Sequence, residues 1–373
     1  MKIAFGSGPA LRKCPAFLTL LLLACSEDPT PGPAEPEPEA DLAALFAPPT
    51  EGETDAVRAE WSVRDAEPDG VVVEHSESFT LGTVPATLRV LSHAIPGGRH
   101  YGAVVTADAA AAGSLPVVVF AHGGDRGVST TVLAQIAFLL GDASAGFAWV
   151  VPSFRSETLT TATDTWPSGG EASPWDQDVD DALALLGAAL DETPAADSGR
   201  VGVLGISRGA GVGLLMGIRD DRIDRVVEFF GPTDFFGPFI QDVIEDALGG
   251  TLRNLPGLLV LNERFIQPFA TGSLSLPETR LELVRRSAVL FAADLPPLQI
   301  HHGTNDAVVE VSQAESLIEV LEAMGRGPPD DEFFVYQGGG HNPLTLMNSV
   351  DRALAFLVAL AAEESPYGAD PRP

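Results

Sequence analysis

A serine flanked by glycines stands where one short apolar run ends and a second begins. Ser207 is the centre of a G-x-S-x-G pattern completed by Gly205 and Gly209. Residues 201–206 predict a buried parallel strand, and the residues after Gly209 predict a glycine-rich helix. Glycines in such a turn let the two backbones come into near contact and expose the serine hydroxyl at the carboxyl edge of the sheet. Because the chain has 38 glycines, the pattern arises by chance in roughly one sequence in five, and alone it does not establish a nucleophile.

Two further side chains complete the set that a serine nucleophile requires. The hydroxyl needs a histidine base, and the histidine needs a carboxylate that fixes its tautomer and stabilises the imidazolium. Residues 298–302 predict a buried strand that runs into a turn ending at Asp306, and His341 is the one histidine after that aspartate. Asp234 follows another predicted strand and is the alternative acid. Asp306 is preferred because the loop that carries His341 should meet it.

Acyl transfer also places negative charge on a carbonyl oxygen. Backbone N–H groups aimed at that oxygen stabilise it, and one such donor is typically worth about 10²–10³ in rate. Residues 116–121 predict a fully apolar strand, which runs into His122, Gly123 and Gly124. A loop at the end of a strand can present donors of this kind. His122 itself is expected to be a strand-end histidine that bonds the loop backbone.

Four segments of the chain resemble the prolyl-oligopeptidase and dienelactone-hydrolase-like branch of the α/β-hydrolase superfamily. They are HGG at 122–124, GISRGA at 205–210, HGTND at 302–306 and GGGH at 338–341. The resemblance extends over about residues 87–360. It implies the α/β-hydrolase fold, with a doubly wound and mostly parallel sheet.

The resemblance also assigns roles to individual residues. The N–H groups of Gly124 and Arg208 match the two oxyanion donors of the family. Asp125 departs from the small residue or proline that is usual at its position. A negative charge beside the oxyanion site disfavours the developing charge on the substrate oxygen unless Asp125 pairs with Arg126 or Arg208. The catalytic residues, in the chain order serine, acid and histidine that the family has, are Ser207, Asp306 and His341.

Other segments are expected to frame this site. Strand-like pieces between residues 71 and 107, with a turn at Pro96-Gly97-Gly98, predict an antiparallel hairpin that leads the sheet. Residues 236–294 form an insertion with two helix-like pieces. It is interpreted as a small cap over the site or, alternatively, as a plain surface insertion. Capping boxes are predicted at two helix starts, Ser275 with Glu278 and Ser312 with Glu315.

Aromatic residues near these loops are candidates for substrate binding. A polar loop at 156–173 is too long for a plain connection and should shape the pocket. For Trp175, packing against the following helix is the alternative. The candidate substrate-binding residues are Trp166, Trp175, Phe235 and Phe236.

The start of the chain predicts export. Residues 1–24 have the basic start and apolar stretch of a signal peptide, and Leu22-Leu23-Ala24-Cys25 resembles a bacterial lipobox with Cys25 as the lipidated residue. An ordinary secretory signal with an incidental cysteine is the alternative. Residues 25–56, rich in proline and acids, predict a disordered tether, followed by the hydrolase domain at 57–363 and a tail at 364–373. The protein is therefore expected in the bacterial cell envelope, touching the membrane only through a lipid anchor.

The charge and composition of the chain exclude several partners. The formal net charge is −30, and beyond residues 1–24, which hold both lysines and one arginine, 19 arginines face 52 acids, a net charge of −33. Such a surface repels phosphate backbones, so no nucleic-acid partner is expected. After Cys25 the chain has no cysteine, and it has no P-loop, dinucleotide fingerprint or HExxH motif. No cofactor and no metal are implied, and the sequence leaves the oligomeric state open.

These observations favour a serine hydrolase that cleaves a small-molecule carboxylic ester through a Ser–His–Asp acyl-enzyme mechanism. A peptidase of the same branch, without a propeller, is the alternative. Roughly 60 residues lie between the tether and the oxyanion strand, too few for two propeller blades of about 40 residues each. No pair of acids that would capture a peptide amino terminus is recognisable. A binding protein that keeps the fold without turnover is a third possibility.

Overall fold

The computed structural model describes residues 41–362. The predicted signal peptide, the lipidation site at Cys25, the first part of the predicted tether and the predicted tail lie outside the described residues. The strands are β1 Asp69–Leu81, β2 Val84–Ile95, β3 Gly98–Ala107, β4 Leu115–Ala121, β5 Val128–Ser129, β6 Ala148–Pro152, β7 Thr158–Thr160, β8 Thr165–Pro167, β9 Ala196–Ile206, β10 Ile223–Phe229, β11 Leu298–Gly303 and β12 Glu332–Tyr336.

The α-helices connect these strands and build the insertion. They are α1 Leu42–Leu45, α2 Glu51–Trp61, α3 Thr130–Leu140, α4 Gln177–Glu192, α5 Arg208–Arg219, α6 Pro238–Leu248, α7 Leu258–Leu261, α8 Gln267–Ala270, α9 Leu276–Val284, α10 Ser312–Ala323 and α11 Ser349–Ala362. No helix within residues 41–362 combines the length and apolar character needed to cross a membrane.

Nine strands form one sheet in the order β1-β2-β3-β6-β4-β9-β10-β11-β12. The last six of these run parallel to one another, whereas β1, β2 and β3 form an antiparallel meander whose last strand pairs antiparallel with β6. The predicted turn joins β2 to β3, where Gly97 and Gly98 have φ of +90° and +155° and glycine avoids the clash of a Cβ. The predicted α/β fold is confirmed. The antiparallel part at the start of the sheet has three strands, one more than the predicted hairpin. The strands β5, β7 and β8 form a small separate sheet.

Helices cover both faces of the large sheet because its central strands are apolar on both sides. In β4, Val117 and Val119 belong to one buried hydrophobic cluster, and Val118 and Phe120 belong to the other. Helices α4 and α5 contribute to the first cluster, and α3 and α11 to the second. A run that is apolar at every position is what a strand between two helical layers requires.

The second part of the predicted tether is folded, which corrects its boundary. Residues 41–56 carry α1 and the start of α2, and Leu45 is buried in the core. Arg280 donates hydrogen bonds to the carbonyl oxygens of Leu45 and Ala47 at 2.7 and 2.8 Å, and pairs with Glu53 at 2.6 Å. The apolar run that follows Asp41 can bury surface, unlike the proline-rich segment before it. The folded domain therefore includes residues 41–56.

The insertion at 236–294 is largely helical, as predicted. It contains α6 to α9, and α9 has the predicted capping box, in which Ser275 Oγ accepts the N–H of Glu278 at 3.4 Å and the Glu278 carboxylate accepts the N–H of Ser275 at 3.0 Å. The second predicted box is wrong. Helix α10 begins at Ser312, its N-cap residue is Val311, and Ser312 Oγ has no hydrogen-bond partner in the described chain.

Candidate active site

The G-x-S-x-G pattern forms a sharp turn between β9 and α5. Ser207 stands between the two elements with φ +56° and ψ −122°, a conformation that side-chain-bearing residues rarely adopt. A Cβ on Gly205 would lie 2.6 Å from Ala210 Cα, and a Cβ on Gly209 would lie 2.0 Å from the carbonyl oxygen of Ala121. Both positions therefore require glycine.

The structure brings the three predicted triad residues together at the carboxyl edge of the sheet. His341 Nε2 lies 2.9 Å from Ser207 Oγ, and His341 Nδ1 lies 2.7 Å from Asp306 Oδ2. Since a neutral imidazole has one donor and one acceptor nitrogen, the Nδ1–H donates to the carboxylate and Nε2 accepts from the hydroxyl. The side chain of His341 is 19% exposed, whereas that of Asp306 is wholly buried. The pair is thus open to solvent only on the histidine side.

Asp306 is held in its ionised form. Burial by itself raises the pKa of a carboxyl group, but the hydrogen bond with His341 and the N–H groups of Val308 and Val309 outweigh that effect, and the pKa of Asp306 lies below its usual range. The two N–H groups donate to Asp306 Oδ1 at 2.9 and 3.0 Å. A carboxylate fixed in this way can orient His341 and stabilise its protonated form.

The alternative acid, Asp234, does not reach the histidine. Its Oδ1 accepts the N–H of Phe236 at 2.9 Å and its Oδ2 accepts the hydroxyl of Ser316 at 2.7 Å. Phe230, at the end of β10, lies instead beside the triad, with its ring centroid 4.2 Å from that of His341 and φ of +44°. The preference for Asp306 over Asp234 thus agrees with the geometry.

The two predicted oxyanion donors lie next to the serine. Arg208 is the first residue of α5, where backbone N–H groups have no partner inside the helix. A Cβ on Gly123 would lie 3.1 Å from Ser207 Cβ, so the loop that contains Gly124 packs directly on the turn. Gly124 has φ of +87°. These positions can direct backbone donors toward an oxygen bound at Ser207.

Asp125, the acid at the position where the family has a small residue or proline, lies at the surface of this loop. Asp125 and Arg126 are exposed, and the guanidinium of Arg208 pairs with Glu157 and Asp178 instead. Because both acids are distant from Arg208 in sequence, no local pattern could have identified them.

His122 has the structural position expected of it. Its Nδ1–H donates to the carbonyl oxygen of Gly123 at 2.9 Å, and its ring stacks on Phe154 with centroids 4.3 Å apart. Burial lowers the pKa of His122 to about 3. The ring is therefore neutral at physiological pH.

The four predicted substrate-binding residues lie in different surroundings. Trp175 and Phe235 are wholly buried, and the Trp175 ring donates its N–H to the carbonyl oxygen of Arg208 at 3.0 Å. Both side chains pack inside the folded domain, which is the alternative given for Trp175, and substrate binding by these two residues stays a prediction. The guanidinium carbon of Arg280 lies over the Phe236 ring, 5.2 Å from the ring centroid. Trp166 packs against Tyr101, and their ring centroids are 5.8 Å apart. Aromatic character alone does not distinguish a substrate contact from a core contact, since large aromatic side chains are equally common in cores.

Comparisons with known proteins show the fold. The structure of acetyl xylan esterase 1 from Thermoanaerobacterium sp. JW/SL YS485 is similar with a TM-score of 0.57 and 18% identity, over 86% of this chain and 99% of that one. A puromycin-hydrolysing peptidase from Mycobacterium tuberculosis has a TM-score of 0.54 and 20% identity, over 78% of this chain and 46% of that one. The Pyrococcus horikoshii acylaminoacyl peptidase has a TM-score of 0.51 and 16% identity, over 81% and 44%.

The chain therefore has the α/β fold of this esterase and these peptidases, as the resemblance implied. It spans less than half the length of the two peptidases. No family model matches the chain, and no curated protein matches it by sequence.

Proposed function

We propose that this protein is a serine hydrolase that cleaves a carboxylic ester. The observation that carries the proposal is the hydrogen-bond chain from Asp306 through His341 to Ser207, with links of 2.7 and 2.9 Å. An ionised carboxylate at one end and an acceptor nitrogen facing the hydroxyl at the other are what activate a serine.

In the proposed reaction Ser207 Oγ attacks the carbonyl carbon of the ester and its proton passes to His341 Nε2. The π electrons of the carbonyl move to its oxygen, and the N–H groups of Gly124 and Arg208 stabilise that charge. When the tetrahedral intermediate collapses, the bond to the leaving oxygen breaks and His341 donates its proton to the alkoxide. Water then attacks the acyl-enzyme by the same steps, which releases the acid and restores Ser207.

Two observations favour an ester over a peptide. The similarity covers 99% of the acetyl xylan esterase but 46% and 44% of the two peptidases. The segment after His341 also exposes apolar side chains, Leu344 at 68% and Met347 at 74%, and Phe230 lies against the His341 ring. Apolar side chains beside His341, in contact or close in sequence, support a neutral, partly apolar acyl or aryl ester as the substrate. A peptidase remains the second candidate because two of the similar structures are peptidases.

Labelling by a fluorophosphonate probe tests the proposal, because the probe reacts covalently only with an activated serine. We expect the wild type to be labelled and Ser207→Ala to lose both labelling and turnover while remaining folded. Ser312→Ala is a matched control, since Ser312 is a half-buried serine whose enclosed hydroxyl has no hydrogen-bond partner in the described chain. A panel of p-nitrophenyl acetate, p-nitrophenyl butyrate and alanyl and prolyl p-nitroanilides then separates esterase from peptidase.

Each alternative has its own outcome in these assays. Labelling that persists in Ser207→Ala contradicts the assignment of the nucleophile. A folded wild type that is neither labelled nor active favours the non-catalytic binding protein. Efficient cleavage of the anilides with negligible turnover of the esters favours the peptidase.

The location of the protein is a separate part of the proposal. The basic start, the apolar stretch and the LLAC segment that ends at Cys25 support export and lipid anchoring in a bacterial cell envelope. The reaction itself does not depend on the anchor, because all of the proposed catalytic residues belong to the folded domain.

A further inference from the structure

The loop between β4 and β5 is held at two points by one buried ion pair. Arg208 Nη1 donates to the carbonyl oxygen of Gly124 at 3.3 Å and to one carboxylate oxygen of Glu157. The other carboxylate oxygen of Glu157 accepts the N–H of Gly127 at 2.8 Å. The side chains of Arg208 and Glu157 are only 2% and 7% exposed. Water therefore competes little for these bonds, and each is stronger than it would be at the surface.

This loop needs such support because its glycines do not fix its conformation. Gly124 and Gly127 have φ of +87° and +91°, and a Cβ on Gly127 would lie 2.1 Å from the carbonyl oxygen of Thr158. Glycine makes this backbone possible but does not favour it over other conformations. The direction of the Gly124 N–H consequently depends on contacts from outside the loop.

Arg208 has a second link to the same chemistry, since its own backbone N–H is the other proposed oxyanion donor. Its guanidinium lies over the ring of Phe154, 4.7 Å from the centroid, which further restricts the side chain. One residue thus supplies a donor from its backbone and, through its side chain, holds the loop that supplies the other donor.

A third buried group, Asp178, accepts from Arg208 Nη2. In the part of the chain that the structure describes, it has no hydrogen bond or ion pair with the loop. Two carboxylates beside one guanidinium leave a negative charge in excess. Burial raises the pKa of Asp178 to about 7, and its Oδ1 has no hydrogen-bond partner in the described chain. Of the two acids, Glu157 is the one that connects the guanidinium to the loop.

We propose that Glu157 and the guanidinium of Arg208 are positioning residues that fix the two oxyanion donors relative to each other. This inference rests on the proposed hydrolase function. Oxyanion donors act at about 2.7–3.1 Å from the position of the charged oxygen, and they stabilise the transition state more than the bound substrate. Loosening the loop should therefore lower kcat and leave KM nearly unchanged.

The test is Glu157→Gln, which preserves shape but removes one acceptor. A carboxylate can accept from both Arg208 and Gly127, whereas an amide has one acceptor oxygen and presents donors at its other end. We expect kcat for p-nitrophenyl acetate to fall about 10- to 100-fold, which does not exceed the decrease in kcat that follows removal of one oxyanion donor. KM should stay within about twofold of the wild-type value.

A trifluoromethyl ketone gives a second measurement that a merely structural role would not change. Ser207 Oγ bonds to the ketone carbon, the π pair of the carbonyl becomes an oxyanion, and the serine proton passes to His341. The inhibition constant should rise by the same factor as kcat/KM falls, because the bound oxyanion mimics the transition state. Arg208→Lys retains the charge but not the planar set of donors. It should also lower kcat/KM and raise the inhibition constant, as Glu157→Gln does.

Asp181→Asn is the matched control. Asp181 lies on α4, as Asp178 does, and forms an equally buried pair with Arg155 at 2.5 Å. Within residues 41–362 it has no hydrogen bond or ion pair with the loop between β4 and β5. Its loss should lower stability without changing kcat or the inhibition constant.

Two results would overturn the inference while leaving the hydrolase intact. One is an active wild type with unchanged kcat and inhibition constant in Glu157→Gln and Arg208→Lys. The other is an equal loss in Glu157→Gln and Asp181→Asn, which would indicate general destabilisation. A wild type that neither turns over esters nor binds the ketone would overturn the proposed function and this inference together. Circular dichroism checks the folding of each variant, and Arg208→Lys decides if Glu157→Gln does not fold.

Discussion

The buried carboxyl group of Glu228 should make the protein less stable as the pH rises, and Glu228→Gln should remove that dependence. Glu228 lies on β10 and is 0% exposed. Its Oε2 accepts the N–H of Gly231 at 2.9 Å, and its Oε1 has no hydrogen-bond partner in the described chain. Burial raises the pKa of Glu228 from 4.5 to about 8, and the hydrogen bond from Gly231 counters this only in part.

The size of the effect follows from the two protonation states. Below about pH 4.5 the group is protonated in both the folded and the unfolded chain, so its titration contributes no pH dependence to the free energy of unfolding. Between about pH 4.5 and 8 the unfolded chain is ionised and the folded chain is not, so unfolding releases a proton and the free energy of unfolding falls by about 1.4 kcal/mol per pH unit. From pH 5 to pH 8 this amounts to about 4 kcal/mol. Glutamine resembles the protonated acid and can still accept from Gly231, so the variant should lack the decrease.

Urea denaturation followed by tryptophan fluorescence, at pH values from 5 to 8.5, measures the difference. Wild type and Glu228→Gln should be nearly equally stable at pH 5, and the variant should be more stable by a few kcal/mol at pH 8. Glu322→Gln, at an exposed position of α10, is the control and should show no such trend. A stability difference between wild type and Glu228→Gln that does not change with pH would refute the reasoning.

Two further predictions concern the triad and the anchor. Asp306→Asn should lower kcat strongly, though less than loss of Ser207 or His341. Asp234→Asn should leave kcat nearly unchanged, because the carboxylate of Asp234 accepts hydrogen bonds from Ser316 and from the backbone of Phe236. Steady-state kinetics in which Asp234→Asn lowers kcat more than Asp306→Asn would show that the acid is misassigned. Cys25→Ser should move the protein from the membrane fraction to the soluble fraction with its activity intact, which fractionation and mass spectrometry can measure; a wild type that is soluble and carries no lipid would contradict the anchor.

The sequence was sufficient for features that depend on short-range patterns. The apolar runs of β4, β9 and β11 predicted buried parallel strands, and the carboxyl ends of such strands meet at one edge of a sheet. Residues just beyond those ends, such as Ser207 and Asp306, were therefore expected to lie close together. The glycine spacing around Ser207 was equally informative, since it reflects two clashes that a Cβ would cause.

Features that depend on long-range pairing could not be predicted in this way. Glu157 lies 51 residues from Arg208 in the chain, and nothing in the residues around either one indicates the other. The start of the folded domain was missed for a similar reason. Composition suggested a tether up to residue 56, but Arg280, far away in sequence, binds the backbone of α1 and the side chain of Glu53.

Capping boxes show the same limit at short range. The spacing of Ser275 and Glu278 produced a box, whereas the same spacing at Ser312 and Glu315 did not. At Ser312 the chain already has helical dihedral angles one residue earlier, since Val311 has φ −58° and ψ −23°. Ser312 is therefore itself a helical residue and lacks the extended conformation that an N-cap usually has.

Hydrogen-bond donors, rather than burial, distinguish the acid that can serve His341 from a second buried acid, Glu228. Asp306 and Glu228 are both buried, and burial raises the pKa of each. Asp306 receives the N–H groups of Val308 and Val309 and that of His341, so its ionised form is favoured. Glu228 receives one N–H group, so its neutral form is favoured. Because only an ionised carboxylate can stabilise an imidazolium, the three donors around Asp306 are as necessary to the proposed reaction as the aspartate itself.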